Sequence, residues 1–351
     1  MKVGLIGFSS SGKSTLYRAA AQGKAKGDVT AVPVPDPRFE AIVEQVKPKK
    51  ITPATVMLFD DLDSAQGSGR MFSQKFVDEA RKMDLLLHVV RDFDSPMAAY
   101  HTEIDALRDE ENISVEIVLA DLQIVENRLE RLAKSLTAKN PGSPDYIEKQ
   151  VFEKLKGPLE EGIPIRAMDL DEDGETICRN YQFLSAKPMV VAFNVSEDHI
   201  GEVPAHLVPR IKALAEKATP AFTVCAPLEE EVAQLDAADQ PDFLSSLGLT
   251  EPASAKVIRA VYEALGLITF FTAGENETRA WPLRRGSNAV KAAGTIHTDI
   301  AKGFIRAEVV HYDVYREYGS LDAAYSAGKM SLEGKEYIIQ DGDLLHIRNK
   351  S

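Results

Sequence analysis

Residues 7–15 read Gly7-Phe8-Ser9-Ser10-Ser11-Gly12-Lys13-Ser14-Thr15, a complete G-x-x-x-x-G-K-[ST] run that begins directly after the apolar stretch Val3 to Ile6. The spacing has a chemical reason. Two glycines permit a tight turn whose main-chain N–H groups face an anion, the lysine reaches the β- and γ-phosphates, and the next hydroxyl ligates a divalent cation. A helix predicted over Leu16 to Ala21 adds the positive partial charge of its N-terminus. Gly7, Ser10, Ser11, Gly12, Lys13, Ser14 and Thr15 are thus the expected triphosphate cradle, with Ser14 on Mg²⁺.

Two later strand ends should complete such a site. The run Thr55 to Phe59 ends in Asp60, where a phosphate-loop protein presents the carboxylate of its Mg²⁺ shell. The chain continues as Asp61-Leu62-Asp63. An Asp-x-x-Gly segment would offer a glycine N–H to the γ-phosphate, whereas a carboxylate at position 63 would repel the triphosphate or force the loop away. The run Met189 to Phe193 ends in Asn194-Val195-Ser196-Glu197, in place of the Asn-Lys-x-Asp of guanine-reading sites. Glu is one methylene longer than Asp, which weakens guanine preference and admits adenine. Alone, Asn-x-x-Glu is also an ordinary strand-end turn, and it gains weight from its position. The next strand, Ala221 to Val224, leads into Cys225-Ala226-Pro227-Leu228-Glu229, a base-flanking loop. Asn194, Val195, Glu197, Cys225 and Ala226 join the expected nucleotide contacts, and no residue identifies itself as catalytic.

The elements that must hold these residues follow from periodicity. Through residue 120, short apolar runs alternate with helical patterns, including Leu85 to Val90, which is the grammar of a parallel sheet with crossover helices. The sheet pattern stops between residues 121 and 188. There Leu122, Val125, Leu129, Leu132 and Leu136 recur at intervals of 3 and 4, and Ile147, Val151, Leu155 and Leu159 form a second stripe. The breaker Thr-Ala-Lys-Asn-Pro-Gly-Ser-Pro at 137–144 separates them. This predicts a projecting antiparallel hairpin, although so few heptads also suit two helices packed on the core.

At 351 residues, 44% apolar and 27% charged, the chain is long enough for two or three domains. No apolar run is long enough to span a membrane and no long apolar core opens the sequence, so a cytoplasmic protein is expected. Cys178 and Cys225 are far apart and lack metal-ligand spacing. The net charge of −13 argues against broad nucleic-acid binding. Its distribution leaves residues 267–351 neutral, with 11 Lys/Arg against 11 Asp/Glu. Arg279, Arg284, Arg285, Lys291, Lys302 and Arg306 could still form a local basic face, or merely a solvated surface.

Nearly the whole chain resembles the Obg-like ATPases of the YchF type. The resemblance rests on the phosphate loop, Val32-Pro33-Val34-Pro35-Asp36-Pro37-Arg38, Leu119-Ala120-Asp121-Leu122, Asn194 to Glu197, and Val224-Cys225-Ala226. It extends through Arg279-Ala280-Trp281, Ala293-Gly294-Thr295-Ile296-His297-Thr298-Asp299 and Gln340-Asp341-Gly342-Asp343. It implies an α/β fold with a P-loop NTPase parallel sheet at 1–120 and 181–266. A helical coiled-coil hairpin would be inserted at 121–180, and a C-terminal TGS domain of β-grasp fold would occupy 267–351. It also implies Mg²⁺, ATP in preference to GTP, slow hydrolysis and association with ribosomes, with RNA or ribosome contact through the TGS domain and hairpin. Arg284, Arg285 and His297 are the candidate phosphate contacts there; the alternative is a module that only packs beside the nucleotide cleft.

The chain departs from the family around the γ-phosphate. Ser10 and Ser11 replace the usual Asn-Val, the segment before Thr30 is shortened so that Thr30 falls out of register for a metal-binding threonine, and Asp63 stands where a glycine is usual. The loop holding Gly67 and Gly69 is shorter too. Nucleotide and Mg²⁺ binding are therefore expected to survive, with very slow or absent turnover. Three functional classes remain: a nucleotide-switched ribosome-associated ATPase, a nucleotide-binding scaffold or regulator without turnover, and a conventional GTPase, which Glu197 disfavours.

Overall fold

A computed structural model describes every residue except 26, 63–71, 97, 237 and 351. The chain divides into two compact units, one of residues 1–31 and 57–264, the other of 32–56 and 265–351.

From the N-terminus the order is β1 (Lys2–Ile6), α1 (Lys13–Ala20), β2 (Val29–Pro33), α2 (Pro37–Val46), β3 (Ile51–Thr52), β4 (Thr55–Phe59), α3 (Gln74–Arg81) and β5 (Leu85–Asp92). Then come α4 (Ala106–Lys134), α5 (Pro144–Glu160), α6 (Glu172–Tyr181), β6 (Met189–Val195), α7 (Val208–Glu216), β7 (Ala221–Val224), α8 (Ala226–Gln234), α9 (Gln240–Ser246) and α10 (Ala253–Ala264). One six-stranded sheet has the order β2-β4-β1-β5-β6-β7, and its β4-β1, β1-β5, β5-β6 and β6-β7 pairs are parallel. The largely apolar character of β5 and β6, broken by the buried His88, Arg91 and Asn194, is explained by burial on both faces, as in sheets covered by helices. On one face Ile6, Leu86, Val90, Val191 and Phe193 pack with Phe72, Phe76, Ile113 and Ile117. Parallel strand ends place the turns after β1, β4, β6 and β7 along one edge, where ligands bind in open α/β sheets.

The predicted hairpin forms, with two differences. Helix α4 starts at Ala106, sixteen residues before the first seam leucine, because Asp105 caps it by accepting the Arg108 N–H. Val118, Val125, Val151, Phe152, Leu155 and Leu159 make a core of their own with Cys178 and Phe183. Leu136 is not in that seam: the helix ends at Lys134, and Leu136 lies 82% exposed. Arg128 bridges the two helices through Asp145 and Glu148.

The second unit continues with β8 (Leu267–Thr272), β9 (Thr278–Arg284), α11 (Ala289–Ile296), α12 (Thr298–Lys302), β10 (Phe304–His311), α13 (Tyr312–Tyr318), α14 (Leu321–Ser326), β11 (Ser331–Glu333) and β12 (Asp343–Asn349). Its mixed sheet has the order β11-β10-β12-β8-β9-β3, and Ala289, Ala292 and Ala293 of α11 pack on Ile268, Phe270, Trp281 and Leu345. The last strand, β12, starts only at Asp343. Ahead of it, the Asp343 carboxylate accepts from the Tyr337 hydroxyl and the Gln340 N–H, and Gly342 at φ 95° turns the chain.

Residues 32–56 pack within this second unit rather than with the nucleotide-binding part to which the sequence pattern assigned them. Ile51 and Thr52 pair with Thr278 and Arg279, Phe39 stacks on Phe271, and Arg38 pairs with Asp341 at 2.9 Å. Such pairing between segments far apart in the sequence leaves no trace in local periodicity. Arg284, Arg285, Lys291, Lys302 and Arg306 are exposed. His297 has a local task instead: its Nδ1 accepts the Asp299 N–H at 3.2 Å and caps α12.

Candidate nucleotide-binding site

The loop between β1 and α1 is possible only with glycine at both ends. Gly7 has φ 147°, and a Cβ there would lie 2.3 Å from the Val89 carbonyl oxygen. Gly12 has φ 94°, and its Cβ would lie 2.2 Å from the Asn194 amide nitrogen. Lys13 folds over this loop, its Nζ donating to the carbonyls of Gly7 at 3.1 Å and Phe8 at 2.8 Å. Burial pulls its pKa down to about 8, with the nearby Asp60 carboxylate opposing the shift.

Ser14 and Asp60, the two residues expected on Mg²⁺, meet: the Ser14 hydroxyl is hydrogen-bonded to the Asp60 carboxylate. Burial raises the Asp60 pKa and Asp28 adds to it, against the Ser14 hydrogen bond and Lys13. A hydroxyl and a carboxylate are the hard oxygen donors Mg²⁺ requires, and the desolvated charge on Asp60 calls for a cation. Thr15, in the first turn of α1, lies beside Arg18, which pairs with Glu230. Thr30 lies in β2. The shortened segment before it is tied down, with the Tyr17 hydroxyl donating to the Gly27 carbonyl at 2.9 Å and the Asp60 N–H to the Asp28 carbonyl at 2.8 Å. Asp63, Gly67 and Gly69 lie outside the described residues.

Asn194 is buried, and both ends of its amide are engaged by main chain. Its Nδ2 donates to the Ser11 carbonyl at 3.0 Å, and its Oδ1 accepts the Ala226 N–H at 2.9 Å. Since the peptide unit is planar and trans, holding the Ser11 carbonyl sends the Gly12 N–H the opposite way. Asn194 is therefore a brace between the phosphate loop and the turn after β7. Val195 is buried, whereas Glu197 is exposed in the one-turn helix Glu197–His199. Cys225 sits at the cap position of α8, and burial, with Glu197 adding to it, raises its thiol pKa. A cavity of about 250 Å³ opens along β7, lined among others by Val195, His199, Thr223, Cys225 and Lys256. Glu229, read as part of the base-flanking loop, is buried and caps α10 by accepting the N–H groups of Ala253 and Ser254.

Residues 91–109 supply site neighbours that motif spacing did not mark. The His101 ring stacks on Phe8 of the phosphate loop, centroids 4.1 Å apart, and its Nε2 lies 3.6 Å from Asp109. Burial lowers the His101 pKa, with Asp109 opposing. The Tyr100 hydroxyl donates to Asp109 at 2.8 Å. The adjacent aromatic pair Tyr100-His101 in the connection between β5 and α4 was the available signal.

The chain is 38% identical over 361 residues to the ribosome-binding ATPase YchF of Pasteurella multocida, covering 99% of this chain and 98% of that one. It belongs to the YchF family of Obg-like ATPases. Identity to the ribosome-binding ATPase YchF of Bacillus subtilis is 36%, with 99% of both chains covered. The YchF-GTPase_C family, described as a protein of unknown function, matches residues 267–350. The solved structure of the Schizosaccharomyces pombe YchF GTPase superposes with a TM-score of 0.88 at 29% identity, covering 99% of this chain and 97% of that one. The YchF fold thus accommodates the phosphate loop, parallel sheet, helical hairpin and C-terminal unit found here.

Proposed function

We propose that this YchF-family chain binds ATP in preference to GTP at residues 7–15, with Mg²⁺ held by Ser14 and Asp60, and turns it over slowly or not at all. The observation that carries the reading is the preassembled cradle: Lys13 buried over the glycine-framed loop, with Ser14 and Asp60 already paired. Main-chain N–H groups, Lys13 and the helix dipole supply binding without further rearrangement. Mg²⁺, when bound, would neutralise the phosphate charge between Ser14 and Asp60. Asn194, Val195, Glu197, Cys225 and Ala226 are assigned to the base side of the site, Asn194 as the brace and Glu197 as the residue that disfavours guanine.

Placement of Thr30 in β2 favours the second reading, a nucleotide-binding scaffold in which hydrolysis has been lost, because a strand residue is a poor mobile γ-phosphate sensor. Steady-state ATPase assay separates the two. Lys13-dependent turnover supports the slow ATPase, and its absence alongside retained ATP binding supports the scaffold.

The names of the bacterial relatives support a ribosomal partner, which this chain would reach in the cytoplasm through the hairpin at 121–180 and the TGS-like region at 267–351. Co-sedimentation with ribosomes at rising salt tests this: loss that steepens with salt indicates phosphate contacts, and no co-sedimentation at low salt rejects the partner.

A further inference from the structure

Arg91, next to last in the buried strand β5, is 1% exposed and does not reach the surface with its charge. Its guanidinium donates to three main-chain carbonyls, those of Phe93 at 3.0 Å, Ala98 at 3.1 Å and Ser10 at 3.3 Å. The rings of Phe93 and Tyr100 lie against it, 4.5 and 4.8 Å from the guanidinium carbon to the centroids. These contacts fix the planar group on its faces and its edge.

The Ser10 it reaches is conformationally expensive. Ser10 has φ 61°, the left-handed region that a residue with a Cβ adopts at a cost of about 1–2 kcal/mol. The carbonyl of Ser10 is held by Arg91 and that of Ser11 by Asn194, so two successive peptide planes of the phosphate loop are set by buried side chains beneath it. We propose that Arg91 is a positioning residue for nucleotide binding, which holds Ser10 in its left-handed conformation and so keeps the phosphate loop in its anion-binding shape before the ligand arrives. The inference rests on residues 7–15 being the nucleotide site, and it adds a residue 76 positions beyond that motif.

Arg91 and Ser10 should therefore be coupled in a specific way. Arg91→Lys keeps the charge but loses the planar fork, so a single nitrogen cannot stand both where Nε meets Phe93 and where Nη1 meets Ser10 and Ala98. Ser10→Gly removes the Cβ penalty at φ 61°, so a loop with glycine there needs no brace. Affinity for a fluorescent N-methylanthraniloyl ATP analogue with Mg²⁺ is measured for the full chain and for Arg91→Lys in the natural and Ser10→Gly backgrounds, together with each melting temperature. The expected result is a loss of about tenfold on Arg91→Lys in the natural background, cut to about threefold or less in the Ser10→Gly background, while the fall in melting temperature is the same in both. Equal affinity of Arg91→Lys and the natural chain overturns the proposal, as does an undiminished loss in the Ser10→Gly background. Should Arg91→Lys not fold, Arg91→Gln is read by the same comparison. Failure of the natural chain to bind the analogue at all would instead reject the nucleotide site itself.

Discussion

The side-chain amide of Asn194 spans the gap between the Ser11 carbonyl and the Ala226 N–H, at 3.0 and 2.9 Å. A residue expected to read the base is thereby occupied in joining two loops. Asn194→Ala would leave a buried acceptor and a buried donor unmet, at about 2–4 kcal/mol. Urea denaturation should show that loss, and ATP affinity should fall with it. Asn194→Asp should impair binding more than its stability loss explains, because a carboxylate would face the Ser11 carbonyl beside the phosphates.

Lys13 gives the site a pH dependence whose sign is fixed. Its pKa in the free protein is about 8, below its ordinary value, through burial. ATP binds the protonated form, so affinity should be level below pH 8 and fall above it, approaching tenfold per pH unit. Fluorescence titrations from pH 7 to 9.5 check this. Affinity that rises over the range would contradict the lysine's role.

His88 in the middle of β5 is fully buried, its pKa lowered to about 3 by desolvation first and by Lys13 and Arg166 next. Among the described residues its Nδ1 has no hydrogen-bond partner. The unfolded chain takes up a proton near pH 6.5 while the folded one refuses it down to about pH 3. Stability is thus held above pH 6.5 and lost as pH falls through that window, by up to ~1.4 kcal/mol per pH unit. His88→Leu should remove about 2 kcal/mol of the difference between pH 7 and pH 5 in urea unfolding.

The hairpin offers a paired test of the seam. Phe152 is fully buried and touches Tyr181 and Phe183, so Phe152→Ala should cost about 3–5 kcal/mol. Leu136, 82% exposed, should accept Leu136→Asn within about 0.5 kcal/mol. Thermal unfolding of both variants distinguishes this seam from the stripe Leu122 to Leu136 that periodicity suggests.

Legibility in the sequence tracks the range of the interactions. The strands β5 and β6 are readable because burial on both faces leaves largely apolar runs, β4 and β7 because short apolar runs end at breaker or site residues, and the phosphate loop because its glycines and lysine answer a local geometric demand. Leu136 falls outside the seam that periodicity assigns it because a 3–4 repeat does not say where a helix stops. The pairing of Ile51 with Thr278, the brace of Arg91 on Ser10 and the stack of His101 on Phe8 join residues far apart in the chain. Asn194 is singled out by its motif, yet its two main-chain partners depend on neighbouring loops that only the assembled sheet edge brings together.

The central claim, an ATP-preferring site built on Lys13, is tested most directly by competition of unlabelled ATP and GTP against the fluorescent ATP analogue, in the natural chain and in Lys13→Ala. ATP should displace the probe at lower concentration than GTP, and Lys13→Ala should weaken binding by about a hundredfold or more while melting remains cooperative. Tighter displacement by GTP, or full affinity in Lys13→Ala, would contradict that claim.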